Sequence, residues 1–445
     1  MTITLISYDP SNGERLGQVQ TTAIEQIPEL VKKATKVAGT WINLGLGERL
    51  SIIQQAYAKA EPRVNELAEL LSREMGKDIQ RSTGEVNGIV FGGPYIAKEA
   101  SEAFQARRAG SGTTVEYRPL GVAAVISPWN YPLAMANNLI VPALVAGNTV
   151  VFKPSEETPL IADAFVKILH KVLPEGVLQI VHGDGEQGKA LVQSDVNLIA
   201  FTGSQEAGKD IMARAAGGLK RLVMELGGND PMIVLEDADI PAAARFAVAS
   251  SFENAGQMCT ATERIYVDGK VADRFEKLVT EVASRYKTGP WNMPGVNIGP
   301  IINIDQHTMI VDHIKDAEAK GARILLGGSR QPERYIEPTV IAGLTPEMVM
   351  ENKETFGPVV AMSSYSTVED AIERANNSVY GLGAIVFGQR DAQRVADQME
   401  AGMVGINQGV GGGNAPWVGA KQSGFGFHGS PDGHRQFTQV RVMSS

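Results

Sequence analysis

The chain has 445 residues, 43% of them hydrophobic and 20% charged, and carries a formal net charge of −9. That length supplies cores for two or three domains, and the acidic balance argues against nucleic acid and acidic membranes as partners. One cysteine excludes an intrachain disulfide framework and a cysteine-ligated zinc site.

The N-terminal stretch "MTITLISYDPSNGE" has no basic segment leading into a long apolar one, so it does not read as a signal peptide. No apolar run reaches the length of a membrane span, so a cytoplasmic α/β protein is expected. From about Ile24 to Gly110 the pattern is helical, and "IQQAYAKAEPRVNELAELLSREMGK" carries apolar residues at helical spacing up to Gly76. From Tyr117 short β-rich runs alternate with amphipathic helices, the pattern of a parallel α/β sheet. "GVAAVISPWN" is a strand that stops at Pro128. "NTVVFKPSEETP" is a strand, a loop and a helix start, with Thr158 at the N-cap and Pro159 at the first helical position. "VLQIVHG", "VNLIAFTGS", "RLVMELGG" and "PMIVLED" read as further strands, with a helix over "SQEAGKDIMARAA". A second α/β domain follows: "TERIYVDG", helices near 271–286 and 305–320, "ARILLGG", "GPVVAMSSYS" and "GAIVFGQ". The closing "RQFTQVRVMSS" alternates and reads as an edge strand that pairs elsewhere.

Several stretches carry chemistry. Cys259 lies in "ENAGQMCTATE" among small and polar neighbours that leave space beside the sulfur. A thiolate there would attack a carbonyl carbon, and a nearby helix N-terminus would lower its pKa; a lone cysteine is otherwise a small buried hydrophobe. Glu225 ends an apolar strand, where a carboxylate can have the raised pKa that suits a general base. Asn130, in the turn "SPWNYP", lies at the carboxyl end of a strand, where open α/β sheets place ligands, and its amide can donate to an oxyanion. Two glycine loops compete for a phosphate: "GDGEQG" at Gly183, Gly185 and Gly188, and "FTGSQEAG" at Gly203 to Gly208. The six histidines (170, 182, 307, 313, 428 and 434) are scattered without metal-ligand spacing, so no metal site is expected.

Taken together and in order, "SPWNYP", "FKPSEETP", "FTGS" with Gly208, "MELGGNDP", "GQMC", "ETFGPV" and "KQSGFG" resemble the aldehyde dehydrogenase superfamily, over nearly the whole chain from "DPSNGE" to "FTQVRV". The resemblance implies a Rossmann-type cofactor domain over 1–100 and 120–227 and an α/β catalytic domain over 228–420. An arm at 101–119 and a tail at 430–445 would form a small oligomerisation sheet, giving a homodimer or homotetramer. It implies that Cys259 is the nucleophile, that Asn130 and the Cys259 backbone N–H form the oxyanion hole, and that Glu225 activates water. Lys153 and Glu156 would hold the adenosine ribose, and Gly203, Ser204 and Gly208 the pyrophosphate. Glu354 and Phe356 would meet the nicotinamide ribose, with Trp129 on the cofactor side. "GDGEQG" then becomes a turn near the adenine. Glu156 would repel a 2′-phosphate, favouring NAD, with NADP possible.

The chain departs from the family at Leu139, where a lysine is common, at Phe427 and His428, where Arg and Glu are common, and in the glycine-rich loop between Asn407 and Trp417. Succinate-semialdehyde dehydrogenases often have an arginine six residues before the nucleophile; here that residue is Glu253. If it faces the pocket it disfavours a carboxylated substrate, and a polar, aromatic or amino aldehyde is expected. The other reading of Glu253 is an ion pair with an arginine such as Arg264. The alternatives in function are a succinate-semialdehyde-type enzyme, a dehydrogenase that passes the acyl group to coenzyme A, or a member that has lost catalysis and serves as a structural or binding protein. The presence of Cys259, Glu225 and Asn130 favours the hydrolytic enzyme.

Overall fold

A hairpin of β1 (Thr4–Tyr8) and β2 (Arg15–Gln20) opens the computed structural model, which describes residues 4–444. Met1–Ile3 and Ser445, at the ends of the ranges expected for the cofactor domain and the tail, lie outside the described residues. Four helices follow: α1 (Ile27–Asn43), α2 (Gly45–Ala58), α3 (Val64–Met75) and α4 (Ile79–Ala103). The segment read as one helix is thus two, interrupted by a 3-10 turn at Glu61–Arg63 where Pro62 has no N–H to give. α3 ends as expected at Gly76, in the left-handed conformation that glycine adopts without strain. A short arm holds β3 (Arg107–Arg108) and β4 (Thr113–Pro119).

The first parallel sheet comes from β5 (Val122–Ile126), α5 (Pro132–Ala146), β6 (Thr149–Lys153), α6 (Pro159–Leu169), β7 (Leu178–Ile180), α7 (Gly185–Gln193), β8 (Leu198–Gly203), α8 (Gln205–Ala215) and β9 (Arg221–Leu226). Its parallel strands run in the order β9-β8-β5-β6-β7. Every residue of β5 and β6 is buried, because helices cover both faces, and this is why these strands read as unbroken apolar runs. Chain order reverses between β5 and β8, so their carboxyl ends frame the crevice where such sheets bind ligands.

The second sheet is built from β10 (Asp230–Val234), α9 (Ile240–Ser251), β11 (Thr262–Asp268), α10 (Ala272–Ala283), α11 (Ile304–Ala319), β12 (Arg323–Leu326), β13 (Thr339–Ala342), β14 (Val359–Tyr365), β15 (Gly383–Phe387) and β16 (Met403–Ile406). The order is β12-β13-β14-β11-β10-β15-β16, with only β12 antiparallel to its neighbour. The chain then returns to the first sheet. β17 (Trp417–Val418) pairs with β19 (Phe427–His428), while β18 (Gly424–Phe425) pairs antiparallel with β9 and sets Gly424 opposite Glu225. The last strand, β20 (Thr438–Ser444), pairs with β4 of the arm, the remote pairing that its alternation suggested. Among the described residues no helix is long and apolar enough to cross a membrane.

Candidate active site

The first sheet turns the carboxyl ends of its strands toward the amino ends of the second. Glu225 closes β9, Cys259 lies three residues before β11, and Glu354 and Phe356 precede β14, the neighbour of β11. Cys259 meets Glu354 and Phe356 because β11 and β14 are adjacent, and Glu225 joins them because the two sheets face each other end to end. Gly256 allows this approach: its φ is +73°, and a Cβ there would lie 2.0 Å from the Gly357 carbonyl oxygen. Gly228 does the same between Glu225 and Cys259, since its Cβ would lie 2.5 Å from the Cys259 carbonyl oxygen.

Cys259 is half-buried, and its thiol interacts with the Glu225 carboxyl. Burial, then Glu225, pushes the thiol pKa well above its ordinary value. This corrects the expectation of a helix N-terminus that lowers it. The segment before Cys259 is a turn with Asn254 and Ala255 at positive φ (51° and 58°), not a helix start. The thiol therefore needs a base to ionise it. Glu225 is pushed up to about 7 by burial, against the opposing effects of Cys259 and the Trp417 indole. Its Oε1 accepts from Trp417 Nε1 at 3.4 Å, and its buried Oε2 receives no N–H or O–H.

Asn130 follows β5 and is buried. Its Nδ2 donates to the Gln257 carbonyl at 3.0 Å, and Asn254 Nδ2 donates to that oxygen and to the Asn130 carbonyl, both at 3.2 Å. These bonds tie the Asn130 loop to the Cys259 loop and leave one Asn130 amide N–H for a ligand. Three more carboxyls surround the centre, Asp230 and Glu263 buried and Glu354 half-buried. Burial pushes Asp230 to about 7 and Glu263 to about 8, and raises Glu354 strongly with help from Glu263. Glu263 accepts from the backbone N–H groups of Thr355 and Phe356, each at 2.7 Å, and holds Phe356 at a φ of 53°. The Trp129 and Phe356 rings meet edge to face, 5.6 Å apart.

On the other side, Lys153 ends β6 with its Nζ 3.0 Å from the Pro154 carbonyl and 3.3 Å from Glu156 Oε2. Gly203 ends β8, and Ser204 caps α8 by accepting from the Ala207 N–H at 3.3 Å. Gly208 lies inside α8 rather than in the loop, where it lets the helix close on Leu226 of β9. The residues fit a nicotinamide dinucleotide: Ser127 Oγ, Thr202 Oγ1 and Gln205 Nε2, at the carboxyl ends of β5 and β8 and the start of α8, are buried without hydrogen-bond partners. "GDGEQG" opens α7, with Asp184 as its cap, and Gly188 packs beside Lys153. Thr158 is the N-cap residue of α6 as expected, but its hydroxyl makes no capping bond. Among the described residues no group of three or more potential metal ligands occurs.

Glu253 pairs with Arg81, not with Arg264. Its oxygens accept from Arg81 Nε at 2.9 Å and Nη2 at 3.0 Å, and from the Tyr131 hydroxyl at 3.1 Å. Arg264 is fully buried and donates to the carbonyls of Asn229 and Ala375. Of the departing residues, Leu139 is in the core and His428 is buried with both ring nitrogens unpartnered, while Phe427 is half-buried and the loop from Asn407 to Trp417 is mostly exposed. Sequence reasoning missed Trp417, Glu263 and Arg81 as parts of the site. Only Trp417 had a signal, as the sole aromatic residue in a glycine-rich stretch.

Comparison with known proteins places the chain among relatives of full length. The model of the aldehyde dehydrogenase family matches residues 3–443. The mitochondrial succinate-semialdehyde dehydrogenase of Arabidopsis thaliana is 35% identical, covering 98% of this chain and 85% of its own. The NADP(+) succinate-semialdehyde dehydrogenase of Escherichia coli strain K12 is 33% identical over 98% of this chain and 93% of its own. A crystal structure of an aldehyde dehydrogenase from Brucella melitensis biovar abortus 2308 superposes with a TM-score of 0.95 at 35% identity, covering 100% of this chain and 94% of that one.

Proposed function

This chain belongs to the aldehyde dehydrogenase family, and from that premise we propose that it oxidises an aldehyde to the carboxylic acid through a covalent adduct on Cys259. Glu225 takes the thiol proton, and the sulfur bonds to the carbonyl carbon to give a thiohemiacetal. Asn130 and the Cys259 backbone N–H donate to the oxyanion. A nicotinamide cofactor, when bound, supplies the hydride acceptor that turns this adduct into a thioester. Glu225, once it has passed the thiol proton to solvent, takes a proton from the attacking water, and the C–S bond breaks to release the acid and return the electron pair to the Cys259 sulfur. The observation that carries this reading is Glu225, with its pKa near neutrality, beside the thiol. It favours hydrolysis over acyl transfer to another thiol.

Lys153 and Glu156 would hold the adenosine ribose, and Gly203 and Ser204 the pyrophosphate at the start of α8, with Gly208 bringing that helix close. Trp129, Glu354 and Phe356 would line the nicotinamide side. Glu156, 43% exposed at the end of β6, supports NAD over NADP by charge repulsion of a 2′-phosphate.

For the substrate we favour a polar, aromatic or amino aldehyde. Asp78, Arg81 and Glu253 bond together beside Tyr131, and this cluster carries one more negative charge than positive. The semialdehyde reading has its own support: Arg81 screens Glu253, and the relatives above are named for succinate semialdehyde. Assembly into a homodimer or homotetramer would use the β20-β4-β3 sheet, where Val440, Val442 and Met443 are exposed.

The test is NADH and NADPH formation across aliphatic, aromatic, hydroxylated, amino and carboxylated aldehydes. NADH formation that vanishes in Cys259→Ser is expected. Turnover surviving in that variant overturns the covalent route, and succinate semialdehyde as the fastest substrate overturns the substrate reading.

A further inference from the structure

Glu225 has an asymmetric environment. One oxygen, Oε1, accepts from the Trp417 indole at 3.4 Å, while the buried Oε2 receives no N–H or O–H. An indole N–H can only donate, so it ties one carboxylate oxygen and takes no proton itself. Trp417 is held in place by the segment that backs Glu225: β18 places Gly424 beside Glu225, and β17 pairs Trp417 with His428 of β19. The two-strand ladder thus carries the indole back over the carboxyl of the neighbouring sheet edge.

We propose that Trp417 is a positioning residue for the base: its indole holds Oε1 and leaves Oε2 as the oxygen that takes the proton from the attacking water. This rests on the reading of Glu225 as the base that releases the acid. In the step, one water O–H bond breaks and its proton goes to Oε2. The water oxygen bonds to the thioester carbon, the C–S electron pair returns to Cys259, and the sulfur regains a proton from Glu225. A hydrogen bond to the ionised form favours that form, so the indole, together with the Cys259 thiol, also keeps the base ionised at lower pH than burial alone would allow.

The test is Trp417→Phe, which keeps an aromatic ring and removes the donor. The carboxyl stretching band of Glu225, identified by its loss in Glu225→Gln, is followed by infrared difference spectroscopy from pH 5 to 9. The midpoint is expected to rise by about half to one pH unit, and the acidic limb of kcat to move with it. Trp417→His, which restores a ring N–H, is expected to recover part of the shift. An unchanged midpoint in a Trp417→Phe protein with native melting overturns the inference and leaves the role of Glu225 standing. A midpoint that moves without the kcat limb overturns Glu225 as the base instead.

Discussion

Two carboxylates, one at the junction of α4 and α5 and one at the end of β9, are equally hidden and differently used. Glu85 is 8% exposed and Glu225 4%, so burial does not separate them. Partners do. Glu85 Oε1 accepts from the Leu133 and Ala134 N–H groups at 3.0 and 3.1 Å, at the start of α5, and Oε2 meets Lys77 Nζ at 2.5 Å. Lys77 in turn sits 3.8 Å over the Tyr131 ring, next to Asn130. Glu225 has one long bond to an indole, the Cys259 thiol beside it, and a buried oxygen, Oε2, without a hydrogen-bond partner. In this pair, the carboxylate whose oxygens are all satisfied and which faces a cation fixes structure, while the one left short of donors keeps capacity for a proton.

Substitution of the two residues' surroundings separates these roles. Glu225→Gln is expected to lower acid formation by about 10²–10⁴-fold, measured as steady-state turnover. The same change is expected to stabilise the fold at high pH. The folded-state pKa of Glu225, about 7, lies above its ordinary 4.5, so between those values the unfolded chain ionises while the folded one resists. Wild type therefore loses stability relative to the variant as pH rises from 4.5 to 7, by about 3 kcal/mol in all. Urea melts should coincide at pH 4 and separate at pH 8; equal stability at both would break the comparison.

Lys77→Met works on the other carboxylate. It strands Glu85 without its cation and is expected to cost about 3–5 kcal/mol of stability, read from the urea midpoint. A loss under about 1 kcal/mol would mean that the backbone donors of α5 suffice alone. The smallest effect is expected at Glu156, whose 43% exposed side chain belongs to neither class. Glu156→Ser should improve kcat/KM for NADP about tenfold, the equivalent of roughly 1.4 kcal/mol. An unchanged ratio of NADP to NAD would show that this carboxylate does not choose the cofactor.

The sequence by itself was enough for the strands β5, β6, β8 and β9, because residues buried on both faces must be apolar and their ends must turn. It was enough for the stop of α3 at Gly76, and for Cys259, Glu225 and Asn130 as candidates, since the chemistry of each is visible in its residue type and short context. Tertiary structure alone decided the rest. The partner of Glu253 lies 172 positions away and that of Glu225 lies 192 away, and no local pattern encodes such pairs. The direction of the thiol's pKa also depended on what surrounds it, because desolvation and a facing carboxylate arise only when the two sheets meet. Residue types set which groups can react. The packing of remote segments sets their protonation and their partners, because burial and Coulomb interaction are properties of space rather than of chain order.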